Sequence, residues 1–542
     1  MLEITQTSSL EKILPKTKIK VSQFRKFTCL KNEKFSYQIA YRESGLSKTY
    51  DIEITSDISE HILIYDVGLV PVNYPTNPLA ENDDNYISKE PGIFPDPLYE
   101  NKSKKISAAP FYKSLWVMVD STAPAGSHEI VVKFSNAGCD AVSSRFELTV
   151  LPVSLPPQEL IYTQWFHTDC LSSYYNYPAF SELHWEIIEK FIRTAAEYGV
   201  NMLLTPIFTP ALDTQIGCER PTVQLCQIEK DGDIYKFDFS LLKRWIDLCR
   251  KCGIKYFEMA HLFTQWGAEC TPKIIVTVNG AEEHLFGWHV GATDKTYEDF
   301  LAQFLPALTG FLHDEGIAEN TYFHISDEPY DENLGSYLKA KELAIKYLDG
   351  FKVIDALSSY EFYKRGIVQH PIVSIDHIEP FIGKVPSLWG YHCCSQFENV
   401  SNRFIAMPAY RTRSIGAQMF KFHVDGFLQW GYNFYYTQFS KRKVNPFLET
   451  DSGGKFPAGD AFSVYPGPDG PIPAIALFVF YEAICDLRAM KLLESLIGHT
   501  ETVGIIERIF GEISFSKCAH SADTILNCRK AINEEIASRT KL

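Results

Sequence analysis

From Ile161 to Tyr432 short runs of β-branched and aromatic residues alternate with longer stretches of helical period. Few folds accommodate that alternation. It calls for parallel strands joined by crossover helices. The predicted strands are Ile161–Phe166, Met202–Ile207, Tyr256–His261, Tyr322–Ser326, Lys352–Leu357, Ile372–Ile378, Ser387–Cys393 and Asp425–Tyr432. The predicted helices include Trp185–Tyr198, Leu241–Cys252, Tyr297–His313, Leu334–Tyr347 and Arg403–Lys421. Eight strands over about 280 residues match a (β/α)8 barrel in count and length. A doubly wound sheet is the alternative, but no Gly-x-Gly-x-x-Gly follows any strand, which weighs against its dinucleotide-binding form.

Ahead of this region, residues 1–155 read as an all-β sandwich. Phe35, Tyr37, Ile39 and Tyr41 alternate with smaller or polar residues, and Ser114–Val119, His128–Phe134 and Phe146–Val150 are further strands. A Pro/Asn/Asp-rich loop from Val70 to Pro97 interrupts them, either as a linker-like excursion or as a lid over a neighbour. Leu151-Pro-Val-Ser-Leu-Pro-Pro157 marks the boundary. The barrel is expected over 156–500 and a helical tail packed on it over 501–542. The expected class is therefore α/β multidomain: β-sandwich, TIM barrel, helical tail.

A net charge of −15 argues against nucleic acid or an anionic membrane as partner. The N-terminus carries no apolar stretch of signal-peptide type, and no run of about 18 apolar residues occurs. A cytoplasmic protein is the expectation, with its 13 cysteines reduced. Cys249 and Cys252 form a lone CxxC without a second ligand pair, so no zinc site is expected.

Within the barrel, Asn320–Pro329 (Asn-Thr-Tyr-Phe-His-Ile-Ser-Asp-Glu-Pro) places two adjacent carboxylates, Asp327 and Glu328, between a strand and a helix. Barrels keep their chemistry at that end. By strand parity Tyr322, His324, Ser326 and Glu328 share one face, and Phe323, Ile325 and Asp327 the other. Both acids reach one ligand only if the strand ends or bulges near Ser326. In the structural alternative Asp327 caps the next helix.

Other strand ends carry Trp165, His167 and Asp169; Glu258 and His261; Asp376 and His377; Trp389, Tyr391 and His392; and Trp430 and Asn433. Aromatic faces beside acids, His and Asn suit a neutral polyhydroxylated ligand. Rings pack on sugar C–H surfaces while polar groups take the hydroxyls. Trp165, His167, Asp169, Glu258, His261, His324, Trp389, Trp430 and Asn433 are thus candidate substrate contacts. Paired carboxylates fit glycoside hydrolysis, but sequence neighbours seldom flank an anomeric carbon from both sides. They fit better where the substrate's own 2-acetamido group attacks. One acid then protonates the glycosidic oxygen and its neighbour holds the acetamido N–H.

These residues resemble a known family. His324-Ile-Ser-Asp-Glu-Pro329 is similar to the Asp-Glu signature of glycoside hydrolase family 123, the β-N-acetylgalactosaminidases and their relatives. Leu115–Val119 with Ala123–Gly126, Arg413–Asn433, and Tyr465-Pro-Gly-Pro-Asp-Gly-Pro-Ile-Pro473 resemble further stretches of that family, in order. The resemblance implies a retaining, substrate-assisted exo-β-N-acetylhexosaminidase, most simply a β-N-acetylgalactosaminidase. It would act on an oligosaccharide or glycoconjugate without cofactor or metal. Glu328 would be the acid/base, Asp327 would orient the acetamido group, and Tyr391 would bind its oxygen. Relatives read Ser-Ile-Arg after the position of Pro473, with a Glu soon after, whereas here the chain reads Ala474-Ile-Ala476-Leu-Phe478. That departure puts the identity of the sugar in question. Two other classes remain open. One is a metal-dependent sugar isomerase using Glu258, His324, Glu328, Asp376 and His377. The other is a carbohydrate-binding relative without catalysis.

Overall fold

The computed structural model describes residues 1–16, 24–77 and 80–540. Two five-stranded sheets form the N-terminal region. Phe35–Glu43, Lys113–Val119 and Ile62–Val72 are central to one; Cys139–Ser154, Gly126–Asn136 and Lys48–Thr55 are central to the other. Alternate side chains of both, such as Tyr37, Leu115, Val132 and Phe146, meet in a shared core. Tyr37 stacks on Phe146 at 4.5 Å between ring centroids.

Eight parallel strands close the barrel: Ile161–Gln164, Met202–Thr205, Tyr256–Met259, Thr321–Phe323, Lys352–Ala356, His370–Ser374, Leu388–His392 and Val424–Gln429. Each starts within two residues of a predicted strand, and all end earlier because the chain turns toward the barrel mouth. The surrounding helices are uneven, so the barrel departs from the regular (β/α)8 pattern. Helix Lys295–Asp314 is long and buries Tyr297, Phe300, Leu301, Phe304, Leu305, Leu308 and Leu312 at helical spacing. By contrast, the connection between strands five and six holds only Tyr360–Lys364, and that between six and seven only the 3-10 turn Glu379–Phe381. The seventh helix in chain order, Ala409–Lys421, begins there and not at Arg403, because Arg403 is buried in the barrel, donating to Gln164 Oε1 (2.7 Å) and the Asp460 carbonyl (2.9 Å).

Helices Ile475–Ile497, His499–Phe510 and Ala522–Arg539 complete the chain. Ala474–Phe478, where the sequence departs from the family pattern, starts the first of these. Phe478 stacks on Tyr198 (4.4 Å) and meets Tyr65 (5.5 Å) and Trp116 (5.9 Å) edge-on, so it joins the sandwich to the barrel away from the mouth. The 73–91 loop also docks on the barrel: Ile87 N–H donates to the Ala406 carbonyl (2.9 Å) and Arg411 pairs with Asp83 (3.0 Å). No helix among the described residues is long and apolar enough to cross a membrane.

Candidate active site

The fourth barrel strand is only three residues long. Beyond Phe323 the chain continues as irregular backbone, and at Glu328 it turns through φ +43, a left-handed conformation rare for a residue with a side chain. Strand parity therefore ends before the acids. Asp327 and Glu328 both open into one cavity of about 230 Å³ at the C-terminal end of the barrel. Trp165, Tyr391 and Trp430 line it with them. Asp327 caps no helix: Leu334–Ile345 is preceded by Asn333 and the 3-10 turn by Tyr330.

The Tyr391 hydroxyl donates to Glu328 Oε1. Among the described residues no donor reaches the Asp327 carboxylate, which faces the cavity free. Burial and the Glu328 charge push the Asp327 carboxyl well above the usual range, with His324 opposing. Burial also raises Glu328; the Tyr391 hydrogen bond opposes this and the Asp376 charge adds to it. Enclosure thus favours the protonated form of each carboxyl, and the Glu328 charge adds to this at Asp327.

Behind the pair lies a fully buried polar layer. His324 Nε2 meets Glu258 Oε1 at 2.6 Å, and Nδ1 lies 3.4 Å from Asp355. Burial lowers the His324 pKa, but the hydrogen bonds to Asp355 and Glu258 outweigh it and bring it up to about 9. His324 is thus the cation beneath two acids. Trp165 Nε1–H and Thr163 Oγ–H also donate to Glu258 (2.7 and 2.8 Å), which leaves Glu258 engaged on both oxygens. His261 stacks on His324 at 4.2 Å and is held neutral by burial and by that neighbouring charge.

Seven expected substrate contacts do not line this cavity. Glu258, His261 and His324 form this supporting layer and do not line the cavity. Trp389 sits deeper still, near the start of its strand, against Tyr322 (5.7 Å) and over Gly426. His167, Asp169 and Asn433 are buried behind Trp430. Arg220, which can only donate, contacts His167 Nδ1 at 3.1 Å, so Nε2–H faces the Trp430 carbonyl at 3.0 Å. Asp169 pairs with Arg220 (3.4 Å), and Asn433 brackets the His167 backbone through its N–H and C=O (2.8 and 3.1 Å). These residues set the position of Trp430, whose indole N–H is held by Asp460 (3.0 Å).

The ligand set of the isomerase reading does not assemble. Glu258 and His324 lie beneath the floor, whereas Asp376 and His377 line a neighbouring cavity. Among the described residues the one group with metal-ligand atoms close together is His423, Glu494 and His499, none of which lines either cavity. The neighbouring cavity, about 340 Å³, adds Ser358, Ser374 and Gln396, and Glu328 and Tyr391 stand between the two.

Sequence reading missed Asp213, Gln265, Trp266 and the pair Cys393–Cys394, all of which line the first cavity. A signal for Trp266 existed: Trp-Gly occurs at 266–267, 389–390 and 430–431, after barrel strands three, seven and eight or within them.

Residues 165–493 match the catalytic domain of glycoside hydrolase 123, more than half of the chain. The chain belongs to glycoside hydrolase family 123. A family 123 glycoside hydrolase from Clostridium perfringens, described in connection with glycolipid glycan hydrolysis, has the same fold. It superposes with a TM-score of 0.75 at 15% identity, covering 100% of this chain and 98% of that one. A GH5 xyloglucanase from Bacteroides ovatus matches at 8% identity over 89% of this chain and 100% of that one, with a TM-score of only 0.29. Among curated proteins none matches.

Proposed function

We propose that this family 123 glycosidase is a retaining, substrate-assisted exo-β-N-acetylhexosaminidase, with a terminal β-linked N-acetylgalactosamine as its preferred sugar. The observation that carries this reading is the Asp327–Glu328 pair: both acids open into one small cavity, one bound by Tyr391 and the other without a donor. At about 230 Å³ the cavity is below the roughly 300–1,000 Å³ of drug-sized ligand sites and suits a single sugar ring.

Glu328 delivers its proton to the glycosidic oxygen. The acetamido oxygen attacks the anomeric carbon as the leaving group departs. Asp327 accepts the acetamido N–H and stabilises the positive charge that spreads to nitrogen. Tyr391 passes from Glu328 to the acetamido oxygen and sets its angle of attack. Water then opens the oxazolinium ring, with Glu328 as base, and the β configuration is retained. Trp430, fixed by Asp460 and His167, is the platform beneath the ring.

The test is a panel of aryl β-glycosides with and without the 2-acetamido group. Hydrolysis should require that group, a thiazoline analogue of the bicyclic intermediate should inhibit, and early proton NMR should show the β product. Because Asp327 acts mainly in the transition state, Asp327→Asn should lose kcat heavily with a modest change in KM, and should bind the thiazoline far less tightly. Equal turnover of glycosides lacking the acetamido group would sink the mechanism.

A further inference from the structure

Six of the fourteen non-glycine residues with left-handed backbone among the described residues fall in the loops around this cavity, and three of them, Asp213, Trp266 and Glu328, line it. The six are Asp213 (φ 46), Trp266 (φ 55), Ala268 (φ 52), Glu328 (φ 43), Phe439 (φ 60) and Ser440 (φ 54). A side chain in this conformation is strained, and the strain persists only where the surroundings impose it. Here the surroundings are the loops themselves. The Gln265 side chain accepts the Asp213 N–H and donates to the Thr214 carbonyl (3.1 Å). Ser440 Oγ–H donates to the Asp213 carbonyl (2.8 Å), and Trp266 N–H donates to the Asp327 carbonyl (2.9 Å). The Trp266 and Phe439 rings meet edge to face at 5.7 Å.

This interlock fixes a carboxylate. Asp213 lines the cavity with Asp327 and Glu328, and its Oδ2 is enclosed with no hydrogen-bond partner. An enclosed oxygen without a donor is costly unless a ligand supplies one. Position decides what it faces. Asp213 lines only the cavity that Asp327 lines, whereas Asp376 lines only the neighbouring one, and Glu328 touches both. The Asp213 charge acts on Asp327 and the Asp376 charge on Glu328, so Asp213 stands on the Asp327 side of the pair, away from the neighbouring cavity. Burial raises the Asp213 carboxyl to about 6, with the Phe439 backbone N–H and the Arg220 charge opposing, and Oδ2 remains the oxygen left for a ligand.

We propose that Asp213 is a specificity-determining residue: its carboxylate accepts a hydroxyl of the terminal sugar, and Trp266, buttressed by Phe439, covers the ring's C–H surface beside it. The assignment of a terminal sugar to this cavity rests on the proposed function; the hydroxyl contact does not depend on the acetamido chemistry. A carboxylate placed for one hydroxyl rejects an analogue lacking it far more strongly than an apolar pocket rejects a missing methylene.

The test pairs an aryl 2-acetamido-β-galactoside with its 3-, 4- and 6-deoxy forms. On wild-type enzyme one deoxy form should lose kcat/KM by about 10²-fold or more. Asp213→Asn should lose a similar factor on the parent compound, yet less than about threefold more on that deoxy form, because the contact is already gone. Trp266→Ala should raise KM on all four alike, by about tenfold. A wild-type enzyme indifferent to all three deletions overturns the proposal without any variant, so a poorly folding Asp213→Asn does not leave it open. An Asp213→Asn loss that is equal on all four substrates also overturns it. If 2-acetamido glycosides are not cleaved, the proposed function fails, and the same comparison on deoxy forms of whichever β-glycoside is cleaved still decides the role of Asp213.

Discussion

Glu328 receives opposing influences from two identifiable neighbours, and each can be removed separately. Its carboxyl must be protonated to act as acid, so activity falls as pH rises through its pKa. Burial and the Asp376 charge raise that pKa, while the Tyr391 hydrogen bond lowers it. Tyr391→Phe should therefore move the alkaline limb of kcat/KM to higher pH, and Asp376→Asn should move it to lower pH. Shifts in the same direction, measured on one substrate, would show that another group titrates in that limb. Glu328→Gln should lose about 10²–10⁴-fold on substrates with poor leaving groups, and less on aryl glycosides whose phenolates leave without a proton. The two acids were legible in the sequence as adjacent carboxylates at a strand end, and Trp165, Tyr391 and Trp430 as residues at strand ends. Glu258, His324 and Asn433 were equally visible, but sequence gives residue type and side, not whether the polar groups are already satisfied within the barrel. Here Glu258 has three donors around it and Asp327 has none.

At the scale of elements, the loops after strands two, three, four and eight do what the strands alone do not. Strand periodicity located all eight strands because buried parallel strands are runs of apolar residues. It says nothing of where a strand stops short, and the left-handed residues that aim Asp213, Trp266 and Glu328 carry no recognisable turn sequence. Gly267 is the exception. It lies at φ +126 between Trp266 and Ala268, and a Cβ there would come within 2.7 Å of Asn333 Cβ. Asn333 in turn accepts the Tyr330 N–H (2.8 Å) just after Asp327 and Glu328. Gly267→Ala should push these two loops apart and lower kcat by about tenfold or more through misplacement, with global stability reduced far less than by a core deletion. An unchanged kcat would show that the loop after strand three does not position the acids.

At the scale of the whole molecule, the barrel core extends onto the sandwich, which keeps a second core between its own two sheets. Tyr65 and Trp116 leave the outer face of one sandwich sheet and meet Phe478 on the helix that follows the barrel. A second link is ionic and buried. Arg529 of the last helix bridges Glu33 in the sandwich and Asp486 on the Phe478 helix, and Asp486 also receives Arg413 from helix seven. The sequence marked the domain boundary through its prolines, but a boundary in composition is not a boundary in stability. The apolar Ala474–Phe478 segment, which stood out as a departure from relatives, is a packing element of this junction. None of its residues lines either cavity. Phe478→Ala removes a ring that is 2% exposed and should cost about 3–5 kcal/mol. Because the junction is common to both halves, sandwich and barrel should unfold in urea as one transition. The variant should shift that transition as a whole while KM is unchanged. Two resolved transitions in the wild type, with only one moved by the substitution, would show that the halves fold independently and that the shared core contributes little.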